Sequence, residues 1–453
     1  MHKLITLSIL TLLLFGCKKF VLETIAKQID EEFWEQRPPG VACTPAASNA
    51  TIKNGELSYD RNHVFCIDIT MNGKDFKTMR NESRFGPSIL EKNGATALAV
   101  VFEHIGQCDV PFPSYYNWYT ANVTIDGISI PNCGIRKKGF AGSIFSSAPA
   151  LKINTLKKGS NLKFGNSSKL TLNNNSEDPS RVIQPVFYKF ITKVGYPSPR
   201  CNAANVKVNG EALGPYLHLE SINEDFLQQH YGNSSGHLYE GAVADFVPAW
   251  LPRWEAKTDA TNSNFEPIRK IGEIVESASD ATLISSLEQK INLDKFITFW
   301  ALEVVLGHID GYSVNRNNFY VYFDPADNGK AHFIPWGMNY SKTKSKIVET
   351  FSLFVNAELP RRLSRIPSFS DKMKAELERI ITTIWNESEL LADIDFYAAQ
   401  IKPTQINPNY DTEIQDLKNW ITGRKATIQN YINAGIPKGN SKQSKKCYND
   451  DEK

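Results

Sequence analysis

The chain opens on an apolar run, Leu4 to Phe15, behind Lys3 and ahead of Gly16-Cys17. As a helix this run rises only about 18 Å, short of a ~30 Å hydrocarbon core, so it reads as a secretory signal rather than a span. No later stretch approaches 18 consecutive apolar residues. An amphipathic pattern from Phe20 to Trp34 predicts a helix that breaks at Pro38-Pro39-Gly40, a tether followed by a linker. Alternation of apolar and polar residues over 63–69, 97–102 and 121–125 predicts strands, the last ending at the turn pair Asp126-Gly127. Asn209-Gly210 between extended runs at 205–208 and 215–222 predicts a hairpin. Beyond it the period lengthens. Phe296, Ile297, Trp300, Val304 and Val305 lie at helical spacing behind a possible cap, Asp294. Two further stripes, Met373-Leu377-Ile381-Ile384 and Ile414-Leu417-Ile421-Ile428, predict core-facing helices.

Composition adds three limits. With 453 residues, 41% hydrophobic and 22% charged, the chain has the make-up of a folded protein of one elaborated domain or two to three smaller units. The 51 Lys and Arg against 49 Asp and Glu leave a formal charge of +2, which argues against a nucleic-acid partner. The seven cysteines are odd in number. Leu14-Phe15-Gly16-Cys17 resembles a bacterial lipobox, in which cleavage precedes the cysteine and its thiol carries the lipid, so Cys17 is the expected lipidation site and the membrane an expected partner. Cys43, Cys66, Cys108, Cys133, Cys201 and Cys447 then remain, an even set that reads as disulfides of open connectivity. A bridge at Cys447 would pin a polar tail, Gly439 to Lys453, to the body. No Cys/His cluster has zinc spacing.

The densest chemistry lies in His308-Ile309-Asp310-Gly311-Tyr312-Ser313-Val314-Asn315-Arg316-Asn317-Asn318, followed by Phe333-Ile334-Pro335-Trp336-Gly337-Met338-Asn339. Asp310 heads a polar loop after an apolar helix, and Asn315 follows five residues on, the Asp-to-Asn spacing of a kinase catalytic loop. Asn317 and Asn318 compete for the amide role, and a turn or cap is the plainer use of Asp310. Upstream stand Gly134-Ile135-Arg136-Lys137-Lys138-Gly139, Leu170-Thr171-Leu172-Asn173-Asn174, Val206 to Tyr216, Leu219-Glu220 and Gly236-His237-Leu238-Tyr239-Glu240-Gly241. In this order, from about Gly134 to Arg424, the chain resembles the CotH family of spore-coat kinases and their secreted bacterial relatives.

The resemblance implies an α+β, atypical protein-kinase-like fold with a β-rich N-terminal region and a helical C-terminal lobe. The expected divisions are a signal peptide at 1–16, a lipid-anchored tether at 17–55, a β-rich region at 56–130, a CotH-like domain at 131–435 and a polar tail at 436–453. Within the domain the N-lobe would run to about 245. Phosphoryl transfer needs a lysine on the phosphates, metal ligands and a base or orienting carboxylate. The resemblance thus implies ATP and Mg²⁺ or Mn²⁺ as cofactors and an exported protein hydroxyl as acceptor. Asp310 would be the base or a metal ligand, with Asn315, Asn318 and Asn339 as further ligands. Lys152, on a strand-like run, would grip the phosphates, with Arg136 and Lys138 as alternatives. Glu220 would meet that lysine or the nucleotide, though a structural ion pair is its competing role.

One position departs from the pattern. Relatives carry Pro-Trp-Asp-x-Asp or Pro-Trp-Gly-x-Asp, whereas this chain has Gly337 and Asn339. Asparagine brings no charge, and Mg²⁺ favours hard anionic oxygens. A non-catalytic surface lipoprotein, a pseudokinase serving envelope structure or adhesion, is therefore the second reading, and another transferase reaction on the same fold a third. Gly232-Asn233-Ser234-Ser235-Gly236 matches Gly-x-Ser-x-Gly, but polar Gln228-Gln229-His230 precedes it and no nucleophile elbow is expected. No Gly-x-Gly-x-x-Gly occurs. The expected location is the bacterial cell envelope, outside the cytoplasm.

Overall fold

The computed structural model describes residues 48–85, 104, 106–139, 146, 148–258, 265–340, 349–405, 407–443 and 447. The lipobox with Cys17, the tether helix, Cys43 and the strand expected at 97–102 lie outside these residues.

After a small hairpin, β1 (Ile52–Lys53) and β2 (Glu56–Leu57), the first layer is a closed barrel of seven strands. They are β3 (Phe65–Met71), β4 (Tyr119–Ile125), β5 (Ile128–Lys137), β6 (Leu151–Asn154), β7 (Lys169–Asn173), β8 (Cys201–Val208) and β9 (Glu211–Leu219). Their order is β3-β4-β5-β6-β7-β9-β8, and the barrel closes through a parallel pairing of β3 with β8. The two predicted turns hold: Asp126-Gly127 joins β4 to β5 and Asn209-Gly210 joins β8 to β9, all four residues at positive φ, which Asn, Asp and Gly tolerate best. Period-2 alternation fills the barrel, with Phe65, Ile67, Ile69 and Met71 buried from β3 alone. The expected boundary at 130/131 falls inside β5, and the barrel draws β3 and β4 from one side of it and the other strands from the other side.

Helix α1 (Gly73–Asn81) packs on the barrel, and α2 (Ile183–Lys193) leaves it to join a second, larger core. That core surrounds a four-stranded antiparallel sheet in the order β11 (Trp254–Ala256), β10 (His237–Gly241), β12 (Phe319–Asp324) and β13 (Lys330–Pro335). Every residue of β12 is buried because it is covered on both faces. Phe319, Val321 and Phe323 face the helices, while Tyr320 and Tyr322 face α3 (Glu224–Tyr231). Around the sheet lie α4 (Glu266–Ser277), α5 (Leu293–Leu306), α6 (Tyr312–Asn315), α7 (Glu358–Leu363), α8 (Pro367–Arg379), α9 (Glu387–Ile401) and α10 (Tyr410–Ala434). The stripe expected on α10 is buried at Ile414, Leu417, Ile421 and Ile428. Asn292, not Asp294, caps α5, its side chain accepting from the Lys295 N–H, with Asp294 in the first turn. Among the described residues no helix is long and apolar enough to cross a membrane.

The cysteines divide unevenly. Cys108 and Cys447 form a disulfide 339 residues apart, and Cys66 is bonded to a cysteine outside the described residues. Cys133 and Cys201 are free, a correction to the even pairing expected of all six. The reason is position: Cys133 faces the barrel core and Cys201 the helical core, where burial pushes their thiols up to about 11 and about 12. The polar tail is held as expected of a bridge at Cys447, and Arg361 on α7 also donates to the carbonyls of Asn440 and Ser441. Replacing Cys108 with serine is expected to lower stability by about 2–5 kcal/mol, read from urea unfolding without reductant, and Cys447→Ser should lower it by the same amount if this bond carries the effect.

Candidate functional site

The loop after α5 is built to hold one carboxylate. Gly307, at φ 61, ends the helix, and His308-Ile309-Asp310-Gly311 leads to α6. Glu303 of α5, fully buried, accepts the N–H groups of Tyr312 at 2.7 Å and Ser313 at 2.8 Å. Burial pushes its carboxyl up to about 7, against these donors, which favour the ionised form. Gly311 is required here, since a Cβ would stand 2.2 Å from Glu303 Oε1. His308 donates from Nε2 to the Trp336 carbonyl at 3.0 Å, and burial drops its pKa to about 4, so the ring stays neutral.

Asp310 is thereby presented to three side-chain amides. Asn315 donates to Oδ1 at 3.2 Å, Asn317 reaches both oxygens at 3.4 Å, and Asn318 donates to Oδ2 at 2.6 Å. Desolvation raises the Asp310 pKa, opposed by these amides. Asn318, at φ 51, is locked between strands: its carbonyl accepts the Trp336 N–H, and its side chain lies where a Gly337 Cβ would collide at 2.5 Å. Gly337 thus serves close approach to Asn318.

A second fastening lies behind the loop. Asp245, fully buried, accepts from Arg316 Nε at 2.9 Å, the Tyr312 hydroxyl at 2.8 Å and the N–H of Glu358 at 2.9 Å. Arg316 continues to the Asn356 carbonyl, so the loop is bound to the start of α7.

The cations come from one face of the barrel. Arg136 and Lys152 are direct partners between β5 and β6, and Lys138 follows two residues after Arg136, on the same side. The Arg136 guanidinium lies 5.0 Å from the Trp118 ring, and Lys138 Nζ 5.8 Å from the Trp336 ring. Burial drops Lys138 and Lys152 to about 8 each, with repulsion from Lys152 and Arg136 at the first and from Lys257 and Arg136 at the second. Opposite stands Glu240 of β10, paired with Lys257, which also meets Glu255 at 2.7 Å. Against the cost of burial, Lys257 holds the Glu240 carboxyl at about 2. Because the unfolded chain keeps lysine protons that Lys138 and Lys152 give up, these two groups should add stability as pH rises from about 8 to 10.5. Thermal melting across that range should steepen in this sense for the parent and flatten in Lys152→Met.

Trp336 is therefore the hub. Lys138 lies against its ring, His308 on its carbonyl, and its N–H binds Asn318, which holds Asp310. Arg136, Lys138, Lys152, Asp310, Asn315 and Asn318 are brought into two linked clusters. Asn339 sits nearby in a different network: its Oδ1 accepts from Gln184 at 2.7 Å and its Nδ2 donates to Glu177 at 2.8 Å. Glu177 in turn acts electrostatically on Lys138. Glu220 does not join Lys152. Its Oε1 accepts from Arg200 Nε at 3.0 Å and Nη2 at 2.6 Å, with His230 at 3.4 Å and Glu56 beyond Arg200, a structural ion pair. Glu240, Lys257, Glu303, Asp245, Gln184 and Glu177 were not singled out from sequence. Glu240 alone had a signal there, a carboxylate inside the Gly236–Gly241 strand motif. Among the described residues no group of three or more His, Cys, Asp or Glu side chains is placed to hold a metal ion.

A seven-stranded barrel and a mixed layer of sheet and helices thus bring an Asp-Asn loop and a lysine face to one Pro-Trp segment. The family model described as CotH kinase protein matches residues 135–434, and the chain belongs to that family. Curated relatives include Invasin CotH2 of Rhizopus delemar, 25% identical over 38% of this chain and 31% of its own. Invasin CotH3 of the same fungus is 26% identical over 38% and 31%. Inner spore coat protein H of Bacillus subtilis is 26% identical over 38% of this chain and 49% of its own. The matches thus span about a third to a half of the length of these relatives.

Proposed function

We propose that this is an exported, lipid-anchored CotH-family protein kinase that transfers the γ-phosphoryl group of ATP to a protein hydroxyl. The observation that carries the reading is the chain of contacts from Lys138 through Trp336 and Asn318 to Asp310, which sets cations and a carboxylate at one junction. In this reading the barrel is the N-lobe and the helical layer the C-lobe of a kinase-like fold. Lys138, Lys152 and Arg136 neutralise the phosphates. A hydroxyl oxygen of the acceptor bonds to the γ-phosphorus as the bond to the bridging oxygen of ADP breaks, and the hydroxyl proton passes to Asp310. The raised pKa of Asp310 suits it to accept that proton. Mg²⁺ or Mn²⁺ would add charge neutralisation, held by the amide oxygens of Asn315 and Asn318 together with the phosphates' own oxygens, while an Asp310 that held the metal would orient the hydroxyl instead of taking its proton. The disulfide and the invasin and spore-coat names of its relatives support a place outside the cytoplasm, with Cys17 as anchor.

A second reading, a non-catalytic surface protein, is favoured by Asn339. Its amide oxygen, the one atom with which it would bind metal, is already engaged by Gln184. Incubation with γ-labelled ATP and either metal separates the two. The kinase reading expects label on the protein itself or on an exported acceptor, and more label in Asn339→Asp. No label with either metal, with thermal stabilisation by ATP, would leave a nucleotide-binding pseudokinase.

A further inference from the structure

Residues 127–176 hold eight basic side chains and no acidic one, against a formal charge of +2 for the whole chain. Arg136, Lys138 and Lys152 of this stretch belong to the partly buried cation face beside Trp118, Trp336 and Glu240, but Lys157, Lys158 and Lys163 stand exposed on the loop between β6 and β7. Among the described residues none of these three makes a salt bridge, whereas Lys169 at the loop's base meets Glu224. Beside them are Leu156, 44% exposed, and Leu162, 49% exposed. Only Tyr115 joins them as a large hydrophobic side chain exposed in this way among the described residues. An apolar pair set in a ring of cations, on one loop tip, needs a partner that is both anionic and able to accept a hydrocarbon side chain.

The same loop receives the tether. The β1–β2 hairpin, where the described chain begins after the tether, is seated on the loop's second half. The Asn166 N–H donates to the Gly55 carbonyl at 2.5 Å, and the Leu57 N–H to Ser167 Oγ at 3.2 Å. Gly165, at φ 57, leaves no room for a side chain, since a Cβ would lie 2.3 Å from the Gly55 oxygen. The segment that leads back towards Cys17, the proposed lipid anchor, thus joins the body at residues 165–167 of the loop that carries Leu156 and Leu162.

We infer that the β6–β7 loop docks on an anionic phospholipid surface, with Leu156 and Leu162 entering the headgroup region and Lys157, Lys158 and Lys163 on the phosphates. An acidic polymer would engage the lysines but offer the leucines nowhere to be buried, so a bilayer is the partner that uses both. The inference takes its orientation from the Cys17 anchor and nothing from phosphotransfer.

The test uses the full chain carrying Cys17→Ser, so that no acyl group contributes. It is co-sedimented with phosphatidylglycerol–phosphatidylcholine vesicles and with phosphatidylcholine alone. The apolar Leu4–Phe15 run is common to all variants, so differences between them read the loop. The parent should prefer the anionic vesicles and lose that preference in high salt. Lysine attraction of this kind is worth roughly fivefold each, so K157E/K158E/K163E should weaken binding by about 100-fold or more. L156S/L162S should weaken vesicle binding about tenfold or more while leaving binding to soluble polyglutamate unchanged. Matching thermal midpoints confirm that both variants fold. Equal affinity of parent and variants for anionic vesicles overturns the proposal, as does a leucine variant that binds vesicles like the parent while polyglutamate displaces both, which would assign the loop to an acidic polymer.

Discussion

Replacing Asp310 with alanine is expected to lower ATP-dependent phosphoryl transfer by about 100-fold or more, the usual worth of a positioned base. The fold should survive. Asp310 is only partly buried, and its partners are amides of its own loop, so a loss near 1 kcal/mol is expected from thermal unfolding. The pairing of a large rate effect with a small stability effect separates a chemical role from a structural one. Label transfer by Asp310→Ala equal to that of the parent would remove Asp310 from the reaction.

The opposite pairing is expected at Asp245. Its carboxylate receives Arg316, Tyr312 and the Glu358 N–H in a place closed to water. Asp245→Ala leaves the Arg316 guanidinium buried without its counter-charge, and the cost should be about 3–5 kcal/mol in denaturant unfolding. Asp245→Asn restores shape but not charge and should recover only part of this. Where the variant still folds, transfer should fall because the Asp310 loop has lost its fastening to α7. A stability loss under 1 kcal/mol for Asp245→Ala would show that the pair contributes little.

How far these roles could be read from sequence depends on distance along the chain. Asp310 and Asn315 meet because both lie on one short loop, and spacing alone fixes such a pair. The Asn-Gly and Asp-Gly turns were legible for the same reason. Which of its open partners Glu220 takes is not legible locally, because strand pairing chooses it: β8 and β9 bring Arg200 beside it, and no local pattern states that register. Lys152 instead feels Glu240 and Lys257, which arrive from a different sheet. Asn339 was visible as a departure, but its engagement by Gln184 required knowing where α2 leaves the barrel. Counting cysteines gave parity and nothing about location, so the separate cores that keep Cys133 and Cys201 apart were hidden.

The disulfide between Cys108 and Cys447 gives the molecule an unusual mechanical character. The bond closes the whole family domain, residues 135–434, into a covalent ring. A pull applied beyond Cys447 would be transmitted across the bond to Cys108, by-passing α10 and the helical layer. One backbone cut within the ring would not release a fragment until a reductant arrived.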